Sequence, residues 1–117
     1  MDRLDRRWLR GGLPRSFLAA TEAAGAEWRR EFLRTFVERD LVQLGIDIPS
    51  RTIEQFWGML AHWHGQIWNG AEFARAFGVA ETAARRYLDL LAATYAVRIL
   101  SPWHENLSKR QVKSPKI

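Results

Sequence analysis

The chain has no cysteine, which excludes disulfide frameworks, thiolate metal sites and cysteine nucleophiles. It has no apolar run close to the ~18–20 residues that a membrane-spanning helix requires, so no membrane partner is expected. The first residues, Met1-Asp-Arg-Leu-Asp-Arg-Arg-Trp, lack the apolar core of a signal peptide. These absences fit a reducing cytoplasm, and a cytoplasmic location is the expectation. No Gly-rich lysine-containing loop, Ser-His-Asp set or paired-carboxylate arrangement occurs, so no catalytic residue is expected in this chain. Gly11-Gly-Leu-Pro14 is too short and wrongly flanked to cradle phosphate. His62-Trp-His64 places two imidazoles two residues apart, where a helix points them in different directions. Neither a metal site nor any other cofactor is expected.

What is present is ample material for a core. Of 117 residues, 47% are hydrophobic and 12% aromatic, which argues against disorder and for one domain with a small N-terminal appendage. The net charge of +5 is unevenly spread. Residues 1–15 carry five arginines against Asp2 and Asp5. Residues 98–117 carry Arg98, Lys109, Arg110, Lys113 and Lys116 against Glu105. The stretch between them holds eight arginines against ten acids. Basic ends of this kind suit phosphate backbones or an acidic partner, and equally a solvated surface.

Helical periodicity dominates the first half. A short helix over Leu4–Arg10 ends at Gly11-Gly12, and Ser16 is a candidate N-cap for a helix to about Ala24. Gly25 interrupts the pattern, and a long helix is expected from Ala26 to about Leu44. Its apolar stripe is Trp28, Phe32, Leu33, Phe36, Val37, Leu41 and Leu44, with Arg34–Glu38 a candidate ion pair on the other side. Gly45 closes it. Ser50 is a candidate cap for a further helix to His64, with Ile53, Phe56, Trp57, Leu60 and Ala61 on one face. Gly65 stops that helix.

From about Gln66 the pattern changes. Asn69 caps a short helix whose inner face is read as Ala71, Phe73, Ala74 and Phe77. Gly78-Val79 makes the turn, and Ala80–Ala93 form a longer helix with Ala84, Tyr87, Leu88 and Leu91 at buried spacing. Glu81, Thr82, Arg85, Arg86 and Asp89 face out. Two helices joined by a Gly-containing turn make a helix-turn-helix. Tyr95-Ala-Val-Arg-Ile-Leu-Ser101 alternates like a strand, and Arg110–Ile117 reads as its return, which adds a β-wing. The expected fold is therefore mainly α, a helical bundle with a winged helix-turn-helix and a small two-stranded wing. The expected divisions are residues 1–15 as a linker and short helix, 16–65 as a helical subdomain, and 66–117 as the winged helix-turn-helix.

The candidate nucleic-acid-binding residues are Thr82, Arg85 and Arg86 on the second helix with Lys109, Arg110, Lys113 and Lys116 in the wing. Glu81 and Asp89 oppose the helix donors, so the recognition face is close to neutral. Contact through the DNA backbone, with little sequence preference and strong salt dependence, is the expectation. Packing against neighbouring domains, or homo-oligomerisation, is the open alternative. Trp28 and Trp57 fall on apolar stripes, whereas Trp8, Trp68 and Trp103 lie at element ends, where they would meet a partner domain.

Four ordered blocks carry a resemblance. Arg10-Gly-Gly-Leu-Pro-Arg-Ser-Phe-Leu18, Phe36-Val-Glu-Arg-Asp-Leu41, Tyr87-Leu-Asp-Leu-Leu-Ala-Ala-Thr-Tyr95 and Lys109-Arg-Gln-Val-Lys-Ser-Pro-Lys-Ile117 resemble the part after the P-loop domain in a family of bacterial and archaeal AAA-type ATPases with a C-terminal domain of unknown function. The resemblance implies a parent protein with ATP and Mg bound in a preceding domain, and a further domain downstream. Under it, this chain is the middle of a longer polypeptide, without the Walker motifs. It also implies that Arg10 or Arg15 sits at the edge of the nucleotide site, and that Arg39-Asp40 is a structural pair on the long helix.

Overall fold

A computed structural model describes residues 2–102 and 114–117. The described residues are mainly helical and divide into two compact units, residues 1–51 and 52–117. The sequence pattern put a division after residue 65 instead, assigning the helix that precedes it to the N-terminal part.

The first unit opens with α1 (Arg3–Arg10), capped by the Asp2 carboxylate and ended by Gly11 at φ 72°. A four-residue helix, α2 (Pro14–Phe17), follows, with proline at its first position where no amide hydrogen is needed. Ser16 is therefore inside α2 and fully buried, and caps no helix to Ala24. The cap belongs to Thr21, whose Oγ1 accepts the Ala24 amide at 3.1 Å and starts α3 (Glu22–Thr35).

Gly25 does not break this helix; it lies buried within it. A Cβ there would come within 3.2 Å of the Ser16 carbonyl oxygen and 3.4 Å of the Ala19 methyl. Glycine is thus required by close approach, with its helix propensity sacrificed. Past α3 the helix widens into a π-helical turn, Phe36–Asp40, before a last α-helical turn, α4 (Leu41–Gln43), and Gly45 at φ 75°.

The extra residue of a π-turn shifts the register of whatever follows. Val37 and Leu41 end up 3% exposed, whereas Phe32 (38%), Val42 and Leu44 face solvent. Trp28, Phe32 and Phe36 stack in sequence along one side, with centroid separations of 5.3 and 6.3 Å. The expected Arg34–Glu38 pair is replaced by pairs within single turns, Arg34–Glu31 and Arg30–Glu27. The Arg30 guanidinium holds the Glu27 carboxyl below the usual carboxylate range. The Ser50 hydroxyl donates to the Val37 carbonyl at 3.0 Å, inside the same unit.

The second unit takes in most of α5 (Ser50–His62), then α6 (Gly70–Phe77) and α7 (Glu81–Ala93). Asn69 Oδ1 accepts the Glu72 amide and starts α6. Gly78, at φ 81° and ψ 30°, ends it in the left-handed conformation that lets α7 leave in a new direction. Ile53, Phe56, Leu60, Phe73, Ala74, Ala84, Leu88 and Leu91 are buried. Ala71, expected on the inner face, is exposed; Trp68, expected at the surface, is only 6% exposed. The indole of Trp68 packs 4.9 Å from the Phe73 ring, which gives that ring a cover on its α6 N-terminal side. Phe77 and Tyr87 are half-buried, each with its ring edge-on to Phe56 at 5.4 Å.

The expected strand over Tyr95–Ser101 is largely absent. Residues 94–97 instead finish α7: Ala96 and Val97 both donate to the Leu91 carbonyl, and Tyr95 adopts φ 60°. Extended pairing begins only at Leu100, and among the described residues no regular strand forms. There are two isolated antiparallel bridges, Leu100 with Lys116 and Ile67 with Lys116. The tip of the expected wing, residues 103–113, lies outside the described residues.

Tyr95 occupies the left-handed site just past a helix end, where glycine is the usual residue, and its side chain is 95% exposed. The ring gains nothing from the described residues while the backbone is strained. Tyr95→Gly is therefore expected to stabilise the chain by about 0.5–1 kcal/mol after the entropy cost of glycine in the unfolded state. A higher midpoint in urea would show it.

Candidate nucleic-acid interface

The second helix of the helix-turn-helix projects its polar face from a well-anchored base. Ala84, Leu88 and Leu91 are at most 1% exposed, which fixes the rotation of α7 and leaves Thr82, Arg85, Arg86 and Asp89 outside. Arg85 is not available as a full charge, because its Nε lies 3.1 and 3.2 Å from the two Asp89 oxygens. Both side chains are more than half exposed, so this pair can open at little cost. Arg86 and Thr82 are exposed and have no side-chain partner among the described residues.

Glu81, which opposes any anion near the start of α7, is turned toward the neighbouring helix. Its Oε1 sits 3.1 Å from where a Gly70 Cβ would be, at the first position of α6. A carboxylate at a helix N-terminus is favourably placed, and a side chain at residue 70 would displace it. Glycine at 70 thus has a steric reason that the sequence pattern did not reveal.

Lys116 has an unusual backbone position. Its N–H and C=O both pair with Leu100, at 2.9 and 2.8 Å. On its other side, the flanking Pro115 carbonyl accepts from Trp68 at 2.7 Å and the Ile117 amide donates to Gln66 at 3.3 Å. Lys116 is therefore the middle of three extended segments, with Ile67 and Leu100 as its cross-strand neighbours on one face. All three side chains are exposed. The part played by Ile67 was missed from sequence, since only a long-range pairing reveals it. Lys109, Arg110 and Lys113 fall among residues 103–113, outside the described residues.

Elsewhere, Arg10 is 5% exposed and fully engaged: its Nε donates to Glu22 Oε1 at 2.6 Å and its NH1 to the carbonyls of Phe17 and Ala19. That leaves it no donor aimed outward toward a nucleotide. Arg15 is exposed. Arg39 and Asp40 do pair, at 3.0 Å, as exposed neighbours on the π-turn. Among the described residues no group of three or more His, Cys, Asp or Glu side chains is arranged to hold a metal ion. No helix among them is long and apolar enough to cross a membrane.

The family model described as "Domain of unknown function (DUF8612)" matches residues 1–117. The chain belongs to this family. It is also 56% identical over 113 residues to "Uncharacterized protein Rv2008c" of Mycobacterium tuberculosis, and equally to "Uncharacterized protein Mb2031c" of Mycobacterium bovis. In each case the match takes in 97% of this chain and 26% of the relative, so the chain spans about a quarter of the length of the curated relatives it matches. No solved structure matches it.

Proposed function

We propose that residues 52–117 are a winged helix, and that it serves a longer AAA-type ATPase as an accessory module that grips nucleic-acid backbone without reading sequence. The observation that carries the fold reading is the order of the extended segments. Ile67, between the first two helices, pairs with Lys116, and Lys116 pairs with Leu100, which follows the third. Helix, segment, helix-turn-helix, segment, loop and central segment is the connectivity of a three-helix domain with one β-wing. The wing runs from Leu100 to Lys116 and carries Lys109, Arg110, Lys113 and Lys116.

The charge layout supports a backbone grip. On α7 one of two arginines is held by Asp89, leaving Arg86 and Thr82 as contacts, too few for base readout. The basic residues lie in the wing and would neutralise phosphates. The four-block resemblance supports the ATPase parent, and the length of the relatives leaves room for its other domains.

Titration of a fluorescent DNA duplex with the chain at several salt concentrations tests the reading. We expect binding that falls with salt with a log–log slope of about −3 to −4, as for roughly four phosphate contacts. Arg86→Ala or Lys116→Ala should each reduce the slope by about 1, equally for unrelated sequences. Absence of binding at low salt would overturn it. A second reading, contact with a sister domain of the parent protein, is favoured by one observation: Ile67 and Leu100, 47% and 49% exposed, flank Lys116 on the same face. Under that reading Ile67→Glu abolishes the contact and DNA affinity is absent.

A further inference from the structure

α1 is an amphipathic helix turned inside out. The side chains it directs at its own unit are arginines: Arg10 is 5% exposed, and the Arg6 guanidinium carbon lies 5.2 Å from the centre of the Phe17 ring. Its apolar residues face solvent instead, Leu4 at 66% and Trp8 at 86%. Residues four apart on a helix share a face, so leucine and indole form one apolar stripe. By the same spacing Arg3 and Arg7 form a basic stripe directly beside it. Arg3, Leu4, Arg7, Gly11, Gly12 and Phe17 line an open recess of about 300 Å³. Asp5 lies on the far flank of the apolar stripe, away from Arg7.

Leaving an indole and a leucine in water forgoes roughly 1.5–3 kcal/mol for each, so a helix so oriented is stabilised by whatever covers it. We propose that this face is a docking site for an acidic amphipathic helix, one that seats a bulky apolar side chain in the recess and sets carboxylates against Arg3 and Arg7. The donor is a segment in the remaining three-quarters of the longer proteins that the chain matches.

Charge selects this occupant. The two arginines beside the recess have no acidic partner among the described residues. A second copy offers little to meet them, because Glu22, Glu27, Glu31 and Asp40 are already paired with arginines of their own unit. An anionic bilayer is a poor match for a helix of eight residues, about 12 Å long, whose opposite side is packed on its own unit. This inference is independent of nucleic-acid binding by the second unit, since the two use different residues.

The test uses the 117-residue chain against overlapping synthetic peptides that tile the Mycobacterium tuberculosis relative outside the matched segment. Saturable binding of an acidic amphipathic tile is expected, weakened about tenfold or more by Trp8→Glu and by Arg7→Glu. Arg15→Glu, also exposed and outside the recess, should leave it unchanged. Because Trp8 and Arg7 are exposed, these variants keep the fold, which circular dichroism verifies. Binding by no tile, or only by neutral or basic tiles, overturns the proposal. So does a Trp8-dependent dimer in sedimentation, which would make a second copy the occupant, or Trp8-dependent capture by phosphatidylserine vesicles.

Discussion

Replacing Phe73 by alanine is expected to cost the second unit about 3–5 kcal/mol, enough to leave it largely unfolded at moderate temperature. The ring is completely buried and is the hub of the aromatic core. Phe56 meets it at 5.0 Å, Trp63 at 5.3 Å and Trp68 at 4.9 Å, with Phe77 stacked beyond at 6.4 Å. Those neighbours come from α5, from the segment before α6 and from α6 itself, so the cavity would open where three parts of the unit converge. Rigid rings on every side cannot collapse into it, which keeps the cavity term large. Leu88→Ala, on the buried side of α7, is expected to cost about 2–5 kcal/mol for the same reason. Arg86→Ala, on the opposite side, should stay within about 0.5 kcal/mol. Urea unfolding followed by circular dichroism separates the three. An Arg86→Ala loss as large as that of Leu88→Ala would mean that α7 is rotated from the orientation described.

Much of this second unit was legible in the sequence because its determinants are local. Asn69 caps, Gly78 turns, and Ala84, Leu88 and Leu91 repeat at helical spacing; each acts within a few residues of itself. What stayed hidden was non-local. Trp68 looks like an element-end aromatic until the Pro115 carbonyl takes its backbone amide and its indole finds Phe73. Ile67 looks like a loop residue until Lys116 bridges it to Leu100. The predicted first wing strand failed for a local reason that β-propensity masked. The turn closing α7 consumes the first residues of the β-rich run, with tyrosine in a site that normally signals itself as glycine.

The first unit was harder to read, because charge there does the work usually done by apolar periodicity. Gly25 reads as a breaker from propensity alone, and only the 3.2 Å approach of the Ser16 carbonyl explains it. The π-turn moves the stripe by one residue, so Val37 and Leu41 are buried while Phe32 and Leu44 are not. Of the candidate binding residues, Thr82, Arg85 and Arg86 are exposed on α7 as their spacing implied, because a helix face follows from its buried side. The Arg85–Asp89 pairing was already legible as opposing charges one turn apart.

Removal of the Arg10 side chain is the sharpest test of the first unit, and Arg10→Ala is expected to cost about 2–4 kcal/mol. The guanidinium ties three successive pieces of chain together. It pairs with Glu22 at the start of α3 at 2.5 Å, and it donates to the Phe17 and Ala19 carbonyls in the bend between α2 and α3. The Arg10 carbonyl in turn accepts the buried Ser16 hydroxyl at 2.6 Å, and the Ser16 oxygen accepts from Arg29 at 2.8 Å. Alanine would leave two part-buried carbonyls without their donor, the costly kind of loss. Glu22 softens the penalty, since its side chain is 45% exposed and can rehydrate. Arg10→Lys should recover only part of the loss, because one ammonium cannot span a carboxylate and two carbonyls as a planar fork does. Arg15→Ala, at an exposed position, should change the thermal midpoint little. An unchanged midpoint for Arg10→Ala would mean that the buried arginine is not what holds α1 and α2 to α3. It would also reopen the nucleotide-edge role that the ATPase resemblance implies for this residue.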